Sequence, residues 1–258
     1  LNPFKSAGEY LADCYDKHLF HGATTSDMPD PARPGEPRFV LYATNMQTGR
    51  NFRFRQDMLA DWKLGVARGA SVPLAQAVAA SSAFPPVFSP IVIETIPASW
   101  AEGEDIPNLD QLRRRIVLTD GGVYDNLGLE PFFDSGRGVS KHPDIAIVVS
   151  DAGAPLRTGF SYFALSPFRL KRVADIMSDQ AHALRVRTFS SYLQKGAGRG
   201  ALIYIGIPIG SAAPSDLALF ASSFPTTLRR LNVSEFDRLA GHGYSVARQV
   251  EQEFGLPV

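Results

Sequence analysis

The stretch Leu118-Thr-Asp120-Gly121-Gly122-Val-Tyr-Asp125-Asn126-Leu-Gly128 holds the residue types best suited to chemistry in this chain. Arg115-Ile-Val-Leu-Thr119 reads as a strand that delivers Asp120 to a sheet edge, and Gly121 and Gly122 let the backbone turn there without a Cβ clash. In α/β sheets ligands bind in the crevice beyond the carboxyl ends of the strands, so Asp120 would sit there with little side-chain bulk around it. The same residues also read as an ordinary hairpin, because Asp-Gly is the strongest short hairpin signal. This stretch alone leaves both readings open. A calcium loop is disfavoured, since acidic groups are missing at alternate positions. Asp125 and Asn126 read as caps of the turn that could also orient Asp120.

Other candidates are weaker. The histidines (His18, His21, His142, His182 and His242) are scattered in a way that fits neither a metal site nor a triad, so surface or structural roles are expected. Asp151 closes an apolar run and reads as a turn cap; as a second crevice carboxylate it could share acid–base work with Asp120. Ser81, Ser82 and Phe84 are candidates to line a pocket, although helix-end serines usually bond local backbone. Residues 160–172 interleave aromatic and basic side chains, which makes Phe160, Phe168, Arg169, Lys171 and Arg172 candidates for lipid contact. The alternative puts the aromatics in the core and the basic cluster on a solvated helix start.

The elements that must position these residues alternate. Residues 38–44 read as a strand and 51–55 as its half-exposed hairpin partner. Residues 72–82 are Ala-rich with Pro near the start and predict a buried helix that stops before Pro85-Pro86. The runs 144–150 and 201–209 are apolar enough for strands buried on both faces, as in a parallel sheet covered by helices. Helical spacing marks 170–193, and 225–254 predicts two helices with basic outer faces. Residues 27–37 form a Pro-rich connector and 94–114 a surface insertion. The sum is a layered α/β fold, helix–sheet–helix with a mainly parallel sheet, in a single domain spanning 1–258.

Composition excludes several function classes. Lys and Arg total 26 against 26 Asp and Glu, so the basic excess of a nucleic-acid binder is missing. With 45% hydrophobic residues the chain can bury a sizeable core and is not disordered. Cys14 is alone and cannot form an internal disulfide. No apolar run reaches the ~18 residues of a membrane span and no signal-peptide pattern opens the sequence, so a cytoplasmic or peripheral-membrane location is expected. The start at Leu1-Asn2-Pro3-Phe4, without Met, reads as a cleavage or fragment boundary.

Asp120-Gly121-Gly122 resembles the Asp-Gly-Gly/Ala signature of patatin-like phospholipases, in which the Asp acts with a serine as a catalytic dyad. Three further segments are similar to that family and follow its order. Tyr42-Ala-Thr44-Asn45-Met-Gln-Thr48-Gly49 resembles its strand and turn after the nucleophile helix. Ala77-Val-Ala-Ala-Ser81-Ser82-Ala83-Phe84-Pro85-Pro86-Val-Phe88-Ser-Pro90 resembles its helix-to-proline segment. Pro225-Thr226-Thr-Leu228 through Gly241-His-Gly243-Tyr244 resembles the C-terminal helices of many bacterial members.

The family also needs a Gly-x-Ser-x-Gly elbow, which exposes the serine oxygen on a sharp strand-to-helix turn, and a glycine-rich oxyanion loop. Neither occurs here: Ser245 has Ala247 in place of the second Gly, and Ser6 has Phe4 in place of the first. The resemblance therefore implies that both parts precede Leu1, that the chain is the C-terminal part of the domain, and that alone it is inactive. It implies a lipid acyl hydrolase in which Asp120 takes the serine proton directly, with no metal or organic cofactor. The implied partners are a lipid or ester substrate, a peripheral membrane surface, and the N-terminal part of the same domain or a partner chain. Two rivals stand beside it. One is a non-catalytic lipid- or protein-binding half-domain or degenerate homologue; the other is an unrelated hydrolase using Asp120 and Asp151.

Overall fold

Reciprocal capping starts the first helix: Ser6 Oγ accepts from Glu9 N–H at 3.2 Å and Ser6 N–H donates to the Glu9 carboxylate at 2.6 Å, opening α1 (Ala7–Tyr15). The structure is a computed structural model that describes residues 5–85, 87–156, 158–161, 165–195, 199–207, 216–225, 227 and 229–255. The chain divides into two compact units, Leu1–Asn126 and Leu127–Val258.

In the first unit, strands β1 (Leu41–Asn45), β2 (Arg50–Phe54), β3 (Met58–Asp61) and β4 (Gly65–Arg68) follow one another as antiparallel hairpins. After α2 (Leu74–Ser81) come β5 (Ile91–Glu94), β6 (Trp100–Ala101), the short α3 (Leu109–Arg114), β7 (Arg115–Asp120) and α4 (Gly122–Asp125). The sheet order is β5-β7-β1-β2-β3-β4-β6. Ala77, Ala79 and Ala80 are fully buried, and their small side chains let α2 lie close against β1 and β7. Phe52 and Phe54 meet edge to face at 4.9 Å and anchor the core with Leu59, Ile93, Ile116 and Leu118.

Asp61 fixes the hairpins. Its Oδ2 accepts from Asn45 Nδ2 at 3.0 Å and Thr48 Oγ1 at 2.8 Å, while Oδ1 accepts from the N–H groups of Lys63 and Leu64. It is buried, so every one of these donors depends on it. Asp61→Ala is expected to lower unfolding free energy by about 3 kcal/mol in chemical denaturation, because two buried and two part-buried donors lose a charged acceptor together. A loss of only about 0.5 kcal/mol, the scale of a surface substitution, would contradict this role.

In the second unit, β8 (Phe133–Asp134) and β9 (Val139–Ser140) form a small hairpin. β10 (Ile147–Asp151) runs parallel to β11 (Gly200–Tyr204), with the 29-residue α5 (Ser166–Gln194) between them in sequence. A Cβ on Gly200 would lie 2.0 Å from the Ile147 carbonyl oxygen, so only glycine fits this close approach. Phe133 and Phe189 meet edge to face at 5.4 Å and Tyr192 packs beside them. Helices α6 (Asp216–Ser223) and α7 (Val233–Phe254) follow, and α7 buries Val246 and Val250 against Ala201 of β11.

The chain is α/β as expected, but the expected mainly parallel sheet is corrected. Every pairing of the seven-stranded sheet is antiparallel, and β10–β11 is the parallel pair among the described residues. Connections of three or four residues (46–49, 55–57, 62–64) cannot return a chain to a parallel neighbour. The apolar run before Asp151 is not buried on both faces either: its residues alternate, with Val148 at 49% exposure. The expected half-exposed partner strand has Asn51, Phe52 and Phe54 buried. Within 94–114, Trp100 and Arg113 are buried, Arg113 donating to the Leu64 and Glu102 carbonyls. Two helices were expected over 225–254; α7 runs unbroken through Gly241 and Gly243, while Thr226 and Leu228 lie outside the described residues. Pro208 and Ile209 of the 201–209 run also lie outside them.

Candidate functional site

Three separate stretches of the first unit converge on Asp120. β7 ends at Asp120, which sits opposite Ala43 of β1. Thr44 Oγ1 donates to the Asp120 carbonyl at 2.8 Å and accepts from Tyr124 N–H at 3.1 Å, tying both sides of the turn to β1. From the end of α2, the Ala83 carbonyl accepts from Asp120 N–H at 3.2 Å and from Thr119 Oγ1 at 2.9 Å. The Ser81 carbonyl accepts from Gly121 N–H at 3.3 Å. The backbone around Asp120 is therefore held by a neighbouring strand and by a helix end.

The two glycines are required by space, not by unusual dihedrals. Gly121 has φ −64°, an ordinary helical value. A Cβ there would lie 2.6 Å from the Tyr42 carbonyl oxygen, within the backbone of β1. A Cβ on Gly122 would lie 2.7 Å from Asn126 Oδ1 and 2.9 Å from Asp120 Oδ1. Asp120-Gly121 is thus not a hairpin turn: Gly122 begins the one-turn helix α4.

The carboxylate itself is half-buried. Its Oδ1 accepts from Gly122 N–H at 2.7 Å, and Oδ2 has no hydrogen-bond partner among the described residues. Burial pushes the Asp120 carboxyl above its ordinary value, with the Gly122 hydrogen bond opposing in part. A fixed carboxylate with one open oxygen and raised basicity can take a proton from a hydroxyl or a water.

The remaining candidates separate. Asp125 is buried at the end of α4, its N–H donating to the Gly121 carbonyl, and Asn126 is exposed with Oδ1 beside Gly122. A depression of about 620 Å³ is lined by Thr44, Asn45, Phe88, Thr119 and Val123; Ser81, Ser82 and Phe84 are not among its walls. Ser82 Oγ instead donates to the Val78 carbonyl at 2.8 Å, a local helix-end bond. In the second unit Phe160 and Phe168 are exposed, not core, as are Arg169 and Lys171, while Arg172 is half-buried. Lys171 pairs with Asp175 at 2.6 Å. Residues 162–164 of that segment lie outside the described residues.

Two features were missed in the sequence. Thr44 and Thr119 brace the Asp120 turn, but strand pairing alone brings them there. Asp151 is buried and caps its turn through Gly153 N–H at 2.9 Å, as the sequence leads one to expect, but it also accepts from His182 Nε2 at 2.8 Å, which the sequence does not show. That pair links β10 to α5 across 31 positions of sequence, so no local spacing could reveal it.

A family model described as patatin-like phospholipase matches residues 6–133. The match includes the segments around Thr44, Ser81 and Asp120, and ends before the segment 225–244. No curated protein and no solved structure gives a significant match.

Proposed function

We infer, from residues 6–133 belonging to the patatin-like phospholipase family, that this chain supplies the catalytic carboxylate of a lipid acyl hydrolase. Asp120 is the base of a Ser–Asp dyad, and the serine and oxyanion donors come from an upstream segment outside residues 1–258. Asp120 Oδ2 accepts the serine proton as the serine oxygen attacks the ester carbonyl. Collapse of the tetrahedral intermediate breaks the ester C–O bond, and Asp120 returns that proton to the departing alcohol. Water then gives a proton to Asp120 and attacks the acyl-enzyme; the acid leaves and the serine regains the proton. The single observation that carries this reading is the half-buried Asp120 carboxylate, anchored at Oδ1 by Gly122 N–H and open at Oδ2.

The pH profile tests it. A base must be ionised, so hydrolysis falls as pH drops through the raised pKa of Asp120. The acid limb of turnover is therefore expected above the ordinary Asp value of 3.8. A profile that stays flat through that region would contradict Asp120 as the base; no hydrolysis at any pH would leave the non-catalytic binding module as the better reading.

The start of α5 is the proposed membrane contact. Support comes from exposed Phe168, Leu170, Val173 and Met177 beside Arg169 and Arg172, which form no salt bridge among the described residues. Cations at a helix start oppose the positive end of its dipole, so an anionic surface relieves them. Changing Arg169 and Arg172 to Gln is expected to weaken partitioning onto anionic vesicles about fivefold per residue, the equivalent of about 1 kcal/mol each. Unchanged partitioning at low salt would return these residues to a solvated helix start.

A further inference from the structure

A second concave site lies wholly within the second unit, between the β8–β9 loop and the last turns of α5. It is a cleft of about 450 Å³ whose walls include Ser135, Arg137, Arg187, Ser191, Tyr192 and Lys195. Arg187, Ser191 and Lys195 are spaced i, i+4 and i+8, which stacks them on one helix face. Across the cleft, Asp134 Oδ1 accepts from the N–H groups of Gly136 and Arg137, both at 3.0 Å, and so fixes the loop carrying Arg137. The same Asp134 is 3.7 Å from Arg137 Nε through Oδ2, a long contact. Arg187 and Lys195 have no carboxylate in ion-pair range among the described residues. Three cations thus face one carboxylate that is already committed to backbone.

We propose that this cleft binds a phosphate group. Arg187 and Lys195 have no carboxylate partner among the described residues, and a bound anion supplies one. Guanidinium groups match phosphate oxygens with paired N–H donors, and an ammonium and hydroxyls complete the set from other directions. A tetrahedral anion with several acceptor oxygens uses all of these donors at once, whereas a carboxylate offers only two oxygens. The phosphate can be free or part of a lipid headgroup. The proposal does not depend on the role of Asp120.

The test titrates inorganic phosphate into the whole chain by calorimetry and, separately, measures sedimentation with phosphatidylcholine vesicles with and without phosphatidic acid. Arg187→Gln and Lys195→Gln are exposed changes that leave melting behaviour near the parent. Each is expected to weaken phosphate binding about tenfold, the scale of a lost charge-assisted hydrogen bond. The Arg169→Gln, Arg172→Gln pair leaves the phosphate titration unchanged. Saturable phosphate binding lost in both variants supports the proposal with a free phosphate as ligand. Binding only to phosphatidic acid vesicles, again lost in Arg187→Gln and Lys195→Gln, supports the lipid headgroup. Absence of binding in both arms, or binding that these two variants do not weaken, overturns it.

Discussion

Asp120→Asn is expected to reduce ester hydrolysis by about 10²–10⁴, the rate contribution of a positioned general base. The assay uses protein that joins these residues to the proposed upstream Gly-x-Ser-x-Gly segment, with a short-chain nitrophenyl ester as substrate. The fold should not suffer, because the Asn oxygen still accepts from Gly122 N–H, which lies 2.7 Å from Asp120 Oδ1. The sign of the stability change follows from the raised pKa. Folded Asp120 holds its proton more tightly than the unfolded chain does, with its ordinary value of 3.8. That preference stabilises the protein below pH 3.8 and is lost as pH rises through the folded value. At neutral pH the ionised carboxylate is therefore a net cost, and Asp120→Asn should melt at the parental temperature or above it. Below pH 3.8 the advantage disappears. A variant that loses activity but also melts well below the parent at neutral pH would place Asp120 among structural residues.

The neighbouring glycines should separate position from stability. In Gly122→Ala the new Cβ meets two side-chain oxygens, Asn126 Oδ1 and Asp120 Oδ1, both of which can move. The fold survives, but the carboxylate is displaced, and a misplacement of about 1 Å at a reacting group costs about 10² in rate. In Gly121→Ala the Cβ meets the Tyr42 carbonyl oxygen at 2.6 Å, which is backbone inside the sheet. This change costs about 1–3 kcal/mol of stability, the usual scale of overpacking. Asn126→Ala combined with Gly122→Ala removes one of the two clashes and should restore part of the activity. Equal stability losses for Gly121→Ala and Gly122→Ala in thermal melts would contradict the division.

Local chemistry explains what was legible in the sequence. The apolar run before Asp120, the two small residues after it and the Ala-rich helix before Pro85 each carry their structure in neighbouring residues. Strand direction does not. β7 reads as a buried apolar run, yet whether it lies parallel or antiparallel depends on β1 and β5, which are distant in sequence. The apolar face of β10 hid an alternation because Val148 is apolar and exposed at once. Thr44 looks like an ordinary strand residue until the register sets it against Asp120. His182 looks unattached until α5 carries it to Asp151. Both placements of Phe168, at a lipid surface or in the core, stood open in the sequence, because composition cannot show which helix face finds a partner; its exposure decides only against the core.

Covalent labelling with a fluorophosphonate reads the activated serine most directly. Protein carrying residues 1–258 together with the proposed upstream Gly-x-Ser-x-Gly segment should label at that serine, and Asp120→Asn should slow labelling by about 10² or more, since the proton acceptor is gone. The same Asp120→Asn protein should keep its melting temperature, so that the loss reports chemistry. Labelling of Asp120→Asn at the parental rate would contradict the dyad and leave Asp120 as a turn residue.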